Sequence, residues 1–105
     1  MSTAEKVQRK ELERDEDGYL LKIDEWSVNI AEQLAGEEGI GEMTSKHWKL
    51  ITAIRFHYER YHQSPLCRDV LAETGFTKMD MYNLFPPMGY KSAYKVAGLP
   101  KPVEC

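Results

Sequence analysis

Apolar residues recur with a helical period over most of this chain. Trp26, Ile30 and Leu34 fall at i, i+4 and i+8. They form one stripe of a helix predicted from about Glu25 to Ala35, with Asp24 as N-cap and Gly36 and Gly39 as its end. Thr44 caps the longest predicted helix, Ser45 to His62. Its apolar positions Trp48, Ile51, Ile54, Tyr58 and Tyr61 are spaced 3, 3, 4 and 3, and Leu50 widens the face. That pattern predicts the central, most buried helix.

Shorter elements follow. Ser64-Pro65 reads as an N-cap with proline at the first helical position, opening a helix through Cys67, Arg68, Val70 and Leu71 that stops before Gly75. Thr77 caps Lys78 to Leu84, with Asp80 at the third position in capping-box fashion. After the rigid turn Phe85-Pro86-Pro87-Met88-Gly89, a last helix is predicted from about Tyr90 to Ala97, with Gly98 as its stop. Near the N-terminus, Val7 to Leu12 and Tyr19 to Ile23 flank Asp15-Glu16-Asp17-Gly18, which reads as a β-hairpin. At the other end, Leu99-Pro100-Lys101-Pro102-Val103-Glu104-Cys105 carries two prolines in seven residues. That composition forbids helix and favours an extended arm. The expected class is α+β, mostly α: a small N-terminal β-hairpin on a bundle of about five helices. Residues 1–98 are expected to form one domain and residues 99–105 a mobile arm hinged at Gly98, with Leu99, Pro100 and Pro102 in it.

Composition narrows the class. With 105 residues, 42% hydrophobic and 30% charged, the chain suits one globular domain. Nothing approaches the ~18 apolar residues of a membrane span, and the N-terminal segment lacks the apolar core of a signal peptide. Cys67 and Cys105 are too few for a disulfide scaffold or a four-cysteine zinc site, so free thiols in a reducing cytoplasm are expected. The net charge of −3 is uneven: −7 over residues 1–45, +2 over 46–75 and +2 over 76–105. The basic C-terminal part could meet an anionic group or an acidic partner. It is too sparse in Lys and Arg for a dedicated duplex-binding surface.

Few residues are arranged for chemistry. His47, His57 and His62 form no i, i+4 pair, so no metal is expected. His57 is placed at the edge of the aromatic face and the other two in solvent. No glycine-rich phosphate loop is present, and no cofactor is expected. Helices 65–74 and 78–84 meet at Gly75 like a helix-turn-helix, but KMDMYNL offers one Lys, one Asp and no Arg to a nucleic acid. What remains is a cysteine at the tip of a proline-stiffened arm.

Tyr82-Asn83-Leu84-Phe85-Pro86, and the run Lys91-Ser92-Ala93-Tyr94-Lys95-Val96-Ala97-Gly98-Leu99-Pro100-Lys101-Pro102-Val103-Glu104-Cys105, resemble the C-terminal signature of the DsrC/TusE family. That family includes the gamma subunit of dissimilatory sulfite reductase and a sulfur carrier of tRNA 2-thiouridine synthesis. Further matches are Asp17-Gly18-Tyr19-Leu20, Trp26, Glu38-Gly39-Ile40, His47-Trp48, Tyr58, and Pro65 with Arg68.

The resemblance implies a cytoplasmic sulfur carrier whose arm enters partner proteins and whose Cys105 holds sulfur as a persulfide. It would be a sulfurtransferase-type carrier rather than a stand-alone catalyst. Its partners would be donor proteins of a sulfur relay, with a sulfite reductase complex or a tRNA-thiolating enzyme as acceptor. Arg68 matches a family position near the arm and ranks first among the cations that could stabilise a thiolate or persulfide. Lys91, Lys95 and Lys101 follow.

Three departures stand out. Tyr94 occupies the place of the family's second arm cysteine, the usual Gly-Pro after Phe-Pro is Met88-Gly89, and Cys105 is last rather than penultimate. The terminal carboxylate and Glu104 are accordingly expected to raise the Cys105 pKa in the free protein. Cys67 matches no family cysteine. It is expected to be buried and inert, the alternative being a pair with Cys105, which needs the two Cα atoms within about 7 Å. Two other function classes stay open: a non-catalytic adaptor on a sulfite reductase or sulfurtransferase complex, and a helix-turn-helix nucleic-acid binder.

Overall fold

A computed structural model describes residues 12–102. Among the described residues, five α-helices follow a single 3-10 turn, Ile23–Glu25: α1 (Val28–Glu37), α2 (Ser45–Tyr61), α3 (Cys67–Thr74), α4 (Lys78–Leu84) and α5 (Tyr90–Val96). α2 packs against α3 and α5, α1 packs against α5, and α4 also meets α5. The short last helix therefore sits where the other elements converge. Ser92, Ala93, Tyr94 and Val96 of α5 are all buried.

The β-hairpin is not formed, and no strand occurs among the described residues. One isolated antiparallel bridge joins Arg14 and Leu20. Residues 7–11 of the expected first strand lie outside the described residues. The turn itself explains why pairing does not extend. The Asp15 carboxylate accepts the N–H groups of both Asp17 and Tyr19, each at 2.9 Å, and the backbone N–H of Gly18 returns to Asp15 O. A local Asx turn thus takes the donors that a ladder would use. Tyr19 is then drawn inward: its hydroxyl donates to Lys91 O at 3.1 Å. The described fold is helical, with a closed turn packed on α5.

Helix starts differ from expectation where a better-placed side chain competes. α1 is capped by Ser27, whose side chain accepts from the N–H of Ile30, and not by Asp24. Trp26 consequently stands outside the helix, while Ile30 and Leu34 are buried as the stripe required. α3 begins at Cys67 with Leu66 as N-cap rather than at Pro65. The carbonyl of Pro65 accepts from the Tyr94 hydroxyl at 2.7 Å, which holds that residue outside the helix. α4 forms the predicted capping box: Thr77 accepts from Asp80 N, and Asp80 accepts from Thr77 N.

α2 shows the largest revision of a face. Leu50, Ile51 and Ile54 are wholly buried, whereas Tyr61, assigned to the same stripe, is 56% exposed. His47, expected in solvent, is buried at the third helical position. Its Nδ1 accepts from Thr44 N at 2.9 Å, and its Nε2 lies 2.8 Å from Leu84 O. Those contacts fix the tautomer with hydrogen on Nε2, which donates to Leu84 O. The imidazole closes a capping box at one end and ties α2 to the end of α4 at the other. It also stacks edge-on with Phe85, centroids 5.1 Å apart.

His47→Ala should cost about 2–3 kcal/mol, since it removes half of a cap and takes the imidazole donor from the part-buried Leu84 carbonyl. Glutamine at this position can restore the box, so His47→Gln should lose clearly less. Urea melts of the two variants test the difference.

Candidate functional site: the root of the C-terminal arm

Four carbonyls at the end of α5 have no partner further along the helix. Each finds one here. Leu99 N–H donates to Tyr94 O at 3.1 Å and Gly98 N–H to Lys95 O at 3.0 Å. Trp26 Nε1 donates to Val96 O at 2.8 Å, and Arg55 Nη1 donates to Ala97 O at 3.0 Å. The first two bonds make the helix C-cap that needs a left-handed residue just past the end. Gly98 supplies it with φ +79°. A Cβ on Gly98 would lie 2.5 Å from Trp26 Cδ1, so both the conformation and the space call for glycine. Arg55 stacks on the Trp26 ring, its guanidinium carbon 4.4 Å from the ring centroid. Burial draws the Arg55 pKa down, opposed by the nearby Glu59 carboxylate.

Leu99, expected as the first residue of an exposed arm, is wholly buried and belongs to the core cluster with Tyr94, Cys67 and Phe85. The chain emerges only at Pro100, which is exposed. Cys105, the proposed sulfur-bearing residue, lies outside the described residues, as do Val103 and Glu104. Pro102 is partly buried.

The four candidate cations divide into two pairs. Lys95 is committed to Glu38 at 3.0 Å. Ser92 donates to the other oxygen of the same carboxylate at 3.1 Å. Lys101 pairs with Asp17 at 3.3 Å. Arg68, which is exposed, and Lys91 make no ion pair among the described residues, which leaves them as the available cations. Tyr94, at the position of the family's second arm cysteine, is fully buried, and burial pushes its pKa up. Cys67 is buried at the start of α3 with its sulfur 3.8 Å from that of Met81. It was expected as an inert free thiol; instead it is disulfide-bonded.

Sequence reasoning missed Arg55, Trp26 Nε1 and the burial of Leu99. Only the arrangement Gly98-Leu99 hinted at them, as a glycine stop followed by an apolar residue. Among the described residues, no group of three or more His, Cys, Asp or Glu could hold a metal ion. No described helix is long and apolar enough to cross a membrane.

These features define a helical domain whose last helix is built into its core and whose C-terminal segment leaves from a fixed, buried anchor. Residues 6–105 match the family model described as DsrC like protein. The chain belongs to the DsrC family. It is 39% identical to sulfurtransferase TusE of Buchnera aphidicola, over 90% of this chain and 88% of that protein. To the gamma subunit of dissimilatory-type sulfite reductase from Nitratidesulfovibrio vulgaris it is 38% identical, over 91% of each. The crystal structure of the oxidized DsrC gamma subunit from Archaeoglobus fulgidus superimposes with a TM-score of 0.78 at 34% identity, over 91% of this chain and 93% of that one. The relatives thus include a sulfurtransferase and gamma subunits of dissimilatory sulfite reductase.

Two outcomes test the anchor. With thiols kept reduced in both proteins, deleting residues 100–105 should change stability by less than about 1 kcal/mol, because Pro100 and Lys101 are exposed. Deleting residues 99–105 should cost about 2–4 kcal/mol more, since it empties the Leu99 site. Thermal melts of the two truncations compare them directly.

Tyr19 supplies a second test. Burial first, then Glu38, Asp17 and Asp15, raise its pKa to about 12, whereas an unfolded phenol ionises near ~10. Between those values the unfolded state holds fewer protons. Stability is therefore complete below about pH 10 and falls as pH rises through about 12, by up to ~1.4 kcal/mol per unit. Tyr19→Phe should melt with a shallower alkaline decline than the wild type.

Proposed function

We propose that this protein is a sulfur carrier that accepts sulfur as a persulfide on Cys105 and passes it on. The observation that carries the reading is the family match through residues 6–105, which takes in the terminal cysteine. The buried anchor supports it: the domain holds Leu99 rigidly and releases the chain just beyond. From Leu99, six further residues span at most about 21 Å. That is enough to enter a neighbouring protein's cleft, and the two prolines reduce the entropy lost on docking.

In the reaction, the Cys105 thiolate attacks the outer sulfur of a donor persulfide. The bond between that sulfur and the donor breaks, the donor leaves as its thiolate, and Cys105 carries the S–SH group. Arg68 and Lys91 are the cations we assign to the anionic states of the arm or its partner. Donors would be proteins of a sulfurtransferase relay. The acceptor would be a sulfite reductase complex or a tRNA-thiolating enzyme, in the cytoplasm. The domain acts as a carrier within such a chain of proteins rather than as a stand-alone catalyst.

A second reading, a non-catalytic adaptor docking through the arm, is favoured by one observation. Tyr94 fills the second-cysteine position with a buried ring hydrogen-bonded to Pro65, so the family's arm disulfide cannot form there. Exposure to a persulfide donor separates the two. After reduction and removal of the reductant, a carrier gains one sulfur, about 32 Da, in the wild type and none in Cys105→Ser, and the variant melts like the reduced wild type. A Cys105→Ser protein that loads like the wild type would sink the carrier assignment to this residue. A wild type that never loads would leave the adaptor.

A further inference from the structure

α2 carries a second apolar edge besides the one in the core. Phe56 and Tyr61 are 54% and 56% exposed. Both line a hollow of about 460 Å³ that is bordered across from them by Asp69 and Glu73 of α3. A second hollow of about 410 Å³ lies between Trp48, Thr52 and Ala53 of α2 and Thr74 of α3, and it shares Phe56 and Glu73 with the first. The two form one groove along the α2–α3 seam, with Phe56 at its middle. From Trp48 to Tyr61 it runs for about 20 Å, the length of nearly four helical turns.

The two walls of the groove differ in charge and in how that charge is used. The α2 wall offers Lys49 and Arg60. Each of these lies over a ring of its own chain: Lys49 Nζ is 5.4 Å from the Phe76 centroid, and the Arg60 guanidinium carbon is 5.7 Å from that of Tyr61. The α3 wall offers Asp69 and Glu73, four residues apart and both exposed. Neither carboxylate makes an ion pair among the described residues. The cations are thus partly occupied, and the carboxylates are not. A second copy of this chain would bring its own net charge of −3 to the seam, and a nucleic acid would be repelled by the acidic wall. A basic partner meets the demand.

We propose that the α2–α3 groove is a docking site for an amphipathic helix of a partner protein, one that lays an apolar stripe on Phe56 and turns a row of Arg or Lys toward Asp69 and Glu73. A helix in a groove is read through anchors at i, i+3, i+4 and i+7. Here the anchors enter the two hollows on either side of Phe56 and cover the ring. The basic flank selects the orientation, because the reverse placement sets its charges against Lys49 and Arg60. Arg55, next to Phe56 on α2, donates to the carbonyl of Ala97 at the root of the arm. A partner seated in the groove therefore lies beside the point from which the C-terminal segment leaves. The proposal goes beyond the carrier reading and does not depend on the chemistry of Cys105.

Two synthetic helices of about 18 residues probe the groove. Both carry Leu at the i, i+3, i+4 and i+7 spacing. One has Arg along a flank of that stripe, and the other has Glu at the same positions. The full chain, kept reduced, is titrated with each while its amide chemical shifts are followed. The Arg helix should move amides within residues 48–61 and 69–74 and bind at least about tenfold tighter than the Glu helix. Phe56→Ser should weaken the Arg helix by about tenfold or more. Glu73→Lys should reverse the preference between the two helices. Both positions are exposed, and thermal melts confirm that the variants fold as the wild type does.

Shift changes that fall outside the seam overturn the site. So does a wild type that binds neither helix at about 1 mM. Equal affinity for the two helices, or a preference for Glu, overturns the basic partner. A dimer in sedimentation that Phe56→Ser dissolves assigns the groove to a second copy and overturns the proposal as well. None of these results bears on whether Cys105 takes up sulfur.

Discussion

The last turn of α5 ends among buried residues, where a backbone carbonyl left without a donor would be costly. Four donors answer it: two from the chain that continues past the helix and two from the side chains of Trp26 and Arg55. The consequences run outward from there. Gly98 must be glycine, Leu99 must turn inward, and Trp26 must stay outside α1 so that its indole can reach Val96. Arg55 must lie partly buried on α2 beneath the root of the arm. Elements from the N-terminal turn, the middle helix and the C-terminus are thereby joined at one point, the point from which the C-terminal segment departs.

The charge imbalance along the sequence has a related outcome. An acidic N-terminal part and a basic C-terminal part suggest a surface waiting for an anionic partner. Much of that complementarity is satisfied internally. Arg14 bonds Glu37 through both carboxylate oxygens, Lys95 bonds Glu38, and Lys101 meets Asp17. Two of these pairs bring a lysine of the C-terminal region onto the acidic N-terminal part. Of the four candidate cations, Arg68 and Lys91 make no ion pair among the described residues.

Local chemistry was the part of the fold most open to reading. Thr77 with Asp80, Thr44 before Ser45 and the pairing of Gly98 with the end of α5 all act over three or four residues, so spacing reveals them. Tertiary demands were opaque. Asp24 loses to Ser27 because Trp26 is needed elsewhere, and Pro65 stays outside α3 because Tyr94 takes its carbonyl. His47 looked like any polar residue in a first turn until Leu84 came within reach. The hairpin reading followed the alternation on either side of a good turn, yet the Asp15 carboxylate captured the amides first. For the site, the resemblance pointed to the arm and to Arg68. That the arm's first residue is core, and that Cys67 is covalently engaged, depend on contacts across the whole chain.

Lys101 and Asp17 are both half in water, side chains 47% and 53% exposed. A pair of that kind contributes at most about 1 kcal/mol. It is weakened by ordinary salt, whose screening length is about 8 Å at physiological ionic strength. The buried cap behind it has no such sensitivity. The root of the arm therefore combines a joint that ionic strength does not touch with a latch, two residues further on, that ionic strength can loosen.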